Sequence, residues 1–231
     1  MNIIWLGHGS FRIEAGGAVL LIDPWLNGNP MLAEDQHSAA LDGATHILVT
    51  HGHFDHTMDI AQISKDRGLP VFGMFELVAN LKEQGAVEGA AFNMGGTVQL
   101  EGASVTLVPA SHSSSMQVGA ASRYMGTEAG FIIKADGHTL YLSGDTGIHA
   151  DMSWIGEFFQ PDIGILSAGG FYTMDMDMAA WAAKKYFDFK TVIPCHYRTF
   201  DALAQDAKPL VDGLPGVNVI EPQVMEPIIP A

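Results

Sequence analysis

Short apolar runs, separated by polar or glycine-rich turns, recur along the whole chain. Runs this brief and this rich in Val, Ile and Leu read as strands, because a helix needs a longer apolar stripe. The pattern predicts strands over 2–6, 11–14, 18–22, 46–50, 71–75, 97–100, 104–108, 130–134, 139–142, 163–166, 191–194 and 217–220. Asp136-Gly137 between two apolar runs marks a hairpin. Three-four spacing predicts fewer helices. They cover 58–67 (Ile60, Ile63, Ser64), 75–84 (Leu77, Val78, Leu81) and the Ala-rich 178–187. The last has Asp177 as its expected N-cap, and Lys184 and Lys185 near its end, where cations suit the helix dipole. A weaker helical pattern covers 201–212. Residues 110–129, "ASHSSSMQVGAASRYMGTEA", have no period and predict a long surface loop of functional interest. The last eleven residues hold three prolines and predict an extended tail.

Alternating strands and helices over 231 residues predict a single α/β domain spanning 1–231. That length can bury a core without disulfides. The one cysteine, Cys195, excludes an intrachain disulfide and fits a reducing cytoplasm. No basic segment followed by a long apolar stretch opens the chain, and no apolar run approaches the roughly 20 residues of a membrane span. The expectation is a soluble, cytoplasmic protein without a membrane partner. A net charge of −15, from 26 acids against 11 Lys and Arg, repels phosphate backbones and argues against nucleic acid. A homo-oligomer stays open.

The chemistry is concentrated in "ILVTHGHFDHTMD", residues 47–59, where three of ten histidines fall within six positions. Packing does not explain that spacing; metal ligation does, because neutral imidazoles and carboxylates are what divalent cations take. Three further strands each end in a potential ligand: His112, Asp145 in "LSGDTG" and His196 in "VIPCHY". Strand ends along one sheet edge are where α/β sites assemble. An isolated histidine or "GDTG" turn would mean little; four loops converging mean more. His51 and His53 can point the same way in an extended segment, with Gly52 leaving the backbone free to bend. The reading places His51, His53 and His112 on one metal and Asp55, His56 and His196 on a second, with Asp145 bridging through its two oxygens. Zinc is the first expectation, with manganese or iron as alternatives. Asp55 doubles as the residue that orients or deprotonates water. Asp23 is expected to orient a ligand imidazole. His8 is read as a substrate contact, a group behind the ligands or a turn residue. Arg123 and Tyr124 offer a cation and a hydroxyl for an anionic head group, or are plain surface. His37, His46, His138 and His149 have no such context.

"THGHFDH", "PASHS", "SGDTG" and "PCHY", in that order, resemble the metallo-β-lactamase superfamily. "WLGHGSFRIE", "LIDPWLNGNP", "DTGIHADMSWIGEFFQPDIGIL" and "VIPCHYRTF" narrow the resemblance to compact metal-dependent hydrolases related to ascorbate-phosphate lactonase. The resemblance implies a four-layer αββα sandwich and the same two ligand sets. It departs at "SAGGFYTMDMDMAA", where Gly170 stands for an acid and Asp175 for a glycine, and at Cys195, where methionine is common. Cys195 is read as packing, since neighbouring extended residues point apart. The expected activity is hydrolysis, by metal-bound hydroxide, of a small anionic substrate carrying a lactone, ester or related acyl bond. The alternative is a phosphodiesterase for a small cyclic or lipid phosphodiester. No flavin-binding segment supports an iron–flavin reductase, and a ligand set this large argues against a purely structural metal module.

Overall fold

The structure is a computed structural model that describes residues 1–230. Six strands build the first half: β1 (Asn2–Gly7), β2 (Ser10–Ala15), β3 (Ala18–Ile22), β4 (His46–Val49), β5 (Pro70–Met74) and β6 (Val87–Phe92). The second half holds β7 (Thr97–Leu100), β8 (Ala103–Pro109), β9 (Ser115–Val118), β10 (Ala121–Tyr124), β11 (Ala129–Ala135), β12 (His138–Leu142), β13 (Ile163–Ser167), β14 (Thr191–Cys195) and β15 (Asn218–Val219). A last short strand, β16 (Pro227–Ile228), returns to the first sheet. The helices are α1 (His37–Leu41), α2 (Phe54–Thr57), α3 (Ile60–Arg67), α4 (Phe75–Glu83), α5 (Met152–Phe159), α6 (Met176–Tyr186) and α7 (Lys208–Gly213). Among the described residues, no helix is long and apolar enough to cross a membrane.

Two seven-stranded sheets result, ordered β16-β1-β2-β3-β4-β5-β6 and β15-β14-β13-β12-β11-β8-β7. Each combines an antiparallel and a parallel part: β3 to β6 run parallel in the first, β12 to β15 in the second. Parallel pairs need crossovers, and α1, α3 and α4 lie in them in one half, α5, α6 and α7 in the other.

Side-chain alternation decides which face of the first sheet goes where. Leu20, Ile22 and Leu48 join the core between the sheets, while Leu21, Ile47 and Val49 join a second cluster with α3 and α4. The strands β13 and β14 are buried along their whole length, as expected when both faces are covered. Helix, sheet, sheet and helix thus stack as the αββα sandwich that the sequence implied.

Several elements depart from expectation. β6 pairs parallel to β5 although only half of its residues are even partly buried, so it carries little apolar pattern. The stretch 110–129 is not all loop; β9 and β10 form an antiparallel hairpin within it. Helix α6 starts earlier than expected, and its N-cap is Asp175, whose Oδ1 accepts from Met178 N at 2.7 Å, rather than Asp177. Within 201–212 only the stretch that forms α7 is helical. The proline-rich tail is tied down, since β16 pairs with β1 and Val224 bridges to Trp5.

Candidate metal centre

The loops after β1, β3, β4, β8, β12 and β14 meet at one edge of the sandwich. After β4 the chain bends at Gly52 between His51 and His53, then turns helical at α2, which carries Asp55 and His56. Gly52 sits there for room rather than for an unusual turn: a Cβ would meet Met125 Cβ at 3.0 Å.

All seven expected ligands come together. His51 Nε2 lies 2.9 Å from His53 Nδ1, and His112 Nε2 lies 3.2 Å from the same atom. Their ring planes stand at 80–88° to one another. Two nitrogens on one tetrahedral zinc stand about 3.3 Å apart, given its bond lengths. Three imidazole edges at that spacing, with no acceptor between them, fit a shared cation. Asp145 Oδ2 lies 3.0 Å from His196 Nε2, 3.4 Å from His56 Nε2, 3.7 Å from His112 Nε2 and 3.9 Å from His51 Nε2. It therefore faces both histidine groups. Asp55 Oδ2 completes the second group, 3.6 Å from both His56 Nε2 and His196 Nε2. The fully buried His56 Nε2 has no hydrogen-bond partner. That is an orphaned donor atom aimed into a carboxylate cluster, and a cation resolves it.

The groups behind the ligands set which nitrogen faces inward. Asp23 accepts from Thr50 N (2.8 Å), Thr50 Oγ1 (2.6 Å) and His56 Nδ1 (2.7 Å). With its proton given to Asp23, the Thr50 hydroxyl accepts from His51 Nδ1 at 2.9 Å. His51 and His56 thus turn Nε2 toward the site, and Asp23 stands where an orienting carboxylate would stand. Asp145 and Asp55 are both held well below the usual carboxylate range. Burial would raise them, but the surrounding imidazoles outweigh it.

His8 is fully buried, so it does not border the cavity. Its Nε2 donates to Asp55 Oδ2 at 2.8 Å, and its Nδ1 lies 2.8 Å from Thr199 Oγ1. Burial holds its pKa down at about 4, so it is neutral and carries its one proton toward Asp55. Burial speaks against a substrate contact and the bond to Asp55 favours a group behind the ligands, although a ring nitrogen of His8 also lies close to the Asp55, His56 and His196 donors. His8→Ala should lower metal affinity or turnover by about 10–100-fold, read by metal titration and initial rates; wild-type values for both would contradict this role. His8, Asp23 and His196 all have left-handed φ, at 54°, 44° and 58°. Such strain gathers where a site over-determines the backbone.

His56 and His196 hold protons in competition with a cation. Burial favours their neutral forms, but Asp145 above all pulls His56 well above the ordinary histidine range and pushes His196 up to about 9. A cation must displace those protons. Apparent zinc affinity, from chelator competition, should therefore rise between pH 6 and 8, by about ten-fold per pH unit for each proton displaced. A flat profile would remove these nitrogens from the ligand set.

Arg123 and Tyr124 lie exposed on β10, and neither borders the cavity; from this hairpin Ser115, Met116 and Gln117 do. Cys195 packs in the core between the sheets, as expected. Sequence reasoning passed over two residues within quoted motifs. Thr199, three positions after His196, anchors His8. Asp59 accepts from Leu26 N (2.7 Å), Asn27 N (2.9 Å) and Asn27 Nδ2 (2.6 Å), clamping the loop after β3. An acid left over in a metal motif was the available signal.

Residues 19–197 match the family described as the Beta-lactamase superfamily domain. The chain is 63% identical, over 99% of both chains, to a UPF0173 metal-dependent hydrolase of Roseobacter denitrificans. It is 32% identical to the solved structure of Igni18, a metallo hydrolase from Ignicoccus hospitalis, with a TM-score of 0.82 over 99% of this chain and 98% of that one. The metallo-β-lactamase fold protein YhfI from Bacillus subtilis shares the fold at 14% identity, with a TM-score of 0.73 over 99% of both chains.

Proposed function

The chain belongs to the β-lactamase superfamily, as a metal-dependent hydrolase, and from that membership we propose that it cleaves an acyl bond, a lactone or ester, of a small substrate at a site for two divalent cations, zinc first. The observation that carries this reading is the position of Asp145. One carboxylate oxygen faces imidazole nitrogens from both histidine groups within 3.9 Å. A purely structural zinc site needs four ligands and no open position, whereas the seven donors here form two groups, and five of them, His53, Asp55, His112, Asp145 and His196, border a cavity.

His51, His53 and His112 would hold one cation, Asp55, His56 and His196 the other, with Asp145 between them. When bound, the cations acidify water and polarise the oxygen that gains charge. The protein's own residues do the rest. Asp23 and Thr50 keep His51 and His56 in one tautomer and orientation. Asp55 borders the cavity, is ionised, and is fixed by His8, so it is placed to orient a water by accepting its hydrogen bond. In the net reaction the water oxygen bonds to the acyl carbon, the acyl C–O bond breaks, and the alcohol leaves with a proton.

The deciding experiment is a panel of lactones, esters, thioesters and phosphodiesters, assayed with zinc- and manganese-loaded protein and after chelation. Turnover is expected on lactones or esters and is lost on chelation. Turnover confined to phosphodiesters would replace the acyl reading with a phosphodiesterase one.

A further inference from the structure

The metal centre opens into a cavity of about 720 Å³, within the range that holds a small organic ligand. Its side chains divide into two kinds. The floor holds five of the ligands, His53, Asp55, His112, Asp145 and His196; the walls are Phe54, Met58, Met116, Tyr172 and Phe200, with Ser113 and Ser115 between them. Among the described residues, no lysine or arginine borders it. Phe54 and Met58 are each 57% exposed, Tyr172 55% and Phe200 38%. Four large apolar side chains left open around one concavity form a surface that binding would desolvate. One wall is ordered from behind: the buried Trp25 ring stands edge-on to Phe54 at 5.8 Å and packs against Phe200 at 6.2 Å. Phe200 also rests on His8 at 5.6 Å.

Charge points the same way. An anionic substrate body would need a cation beyond the metals. The walls supply none, and a net charge of −15 repels it. Resting on the acyl-bond reading above, we propose that the substrate carries an uncharged apolar or aromatic group, seated against Phe54, Met58, Met116, Tyr172 and Phe200 while its acyl carbon meets the metal centre. This replaces the anionic head group expected from the sequence.

The test has two arms, both on zinc-loaded full-length protein. In the first, kcat/KM is measured for the 4-nitrophenyl esters of acetate, butyrate and hexanoate. The 4-nitrophenyl monoester of succinate, matched in length to the butyrate ester but ending in a carboxylate, completes the set. Rates are expected to climb by about three- to four-fold per methylene, with the succinate ester at least ten-fold below the butyrate ester. A flat series, or a succinate ester as fast as butyrate, overturns the proposal. The second arm needs no turnover: calorimetry compares binding of 4-phenylbutanoate and succinate. Phenylbutanoate is expected to bind at least ten-fold tighter. Combining Met116→Lys with Tyr172→Ala should shrink that ratio, with zinc content unchanged. Equal affinities, or an unchanged ratio in the variant, overturn the proposal. Inert esters with the binding preference intact would sink the acyl-bond reading and uphold the apolar pocket.

Discussion

Asp145→Asn is expected to cut turnover on the order of 10³-fold, because an effect worth several kcal/mol in the transition state is lost. The substitution preserves shape and removes charge. In the native site one Asp145 oxygen faces nitrogens of His196, His56, His112 and His51 at 3.0 to 3.9 Å. An amide there cannot neutralise two cations, and it turns either a weak donor or a single carbonyl toward four imidazoles. Metal content should fall together with activity, because the second ligand group keeps only Asp55 as an anion. The measurement pairs initial rates on the substrate found by the panel with metal analysis of the same sample. His138→Asn is the control. His138 pairs with Asp162 at 2.7 Å, apart from the metal cluster, and its loss should leave metal content unchanged. Full activity in Asp145→Asn would remove the bridge from the account.

Gly169→Ala is the second large effect, and it comes from packing rather than ligation. Gly169 follows β13 and lies directly behind the loop that ends β14. A Cβ there would stand 1.9 Å from the carbonyl oxygen of His196, far inside contact distance. Backbone must move. His196 cannot absorb the shift quietly, because it already has φ of 58° and donates its N–H to the His8 carbonyl at 2.9 Å. His8 in turn holds Asp55. A displacement therefore passes to a ligand and to its neighbour's anchor together. Overpacking of this kind costs about 1–3 kcal/mol of stability, and a misplacement near 1 Å costs about 10²-fold in rate. Thermal unfolding and kcat measured at saturating zinc would separate the two. A variant that melts lower yet keeps wild-type kcat would show that the site tolerates movement of His196.

The ligands were legible in the sequence because chemistry restricts them more than folding does. His51, His53, Asp55 and His56 announce themselves by spacing, and His112, Asp145 and His196 by following strands. The core strands were legible for a related reason, since full burial leaves unbroken apolar runs such as Ile163–Ser167. What was hidden lies at edges and on surfaces. β9 and β10 have no buried residue to pattern. α5 buries only Met152 and Ile155 while Trp154 and Phe158 stay exposed, so its apolar residues do not trace a single buried stripe. The apolar cavity wall was hidden more deeply. Phe54 on α2, Met116 on β9, and Tyr172 and Phe200 in two loops are far apart along the chain, and only the fold brings them together. Arg123 drew attention because it is a cation in a long polar stretch, but it lies beyond the cavity border.

The central claim is that side chains from four loops hold two cations at once. Its most direct test is metal stoichiometry, by native mass spectrometry of protein loaded with zinc and freed of excess. The account predicts about two zinc ions per chain, falling to about one when His51, His53 and His112 are replaced together. A chain that binds none, or keeps its full complement without those three histidines, would contradict it.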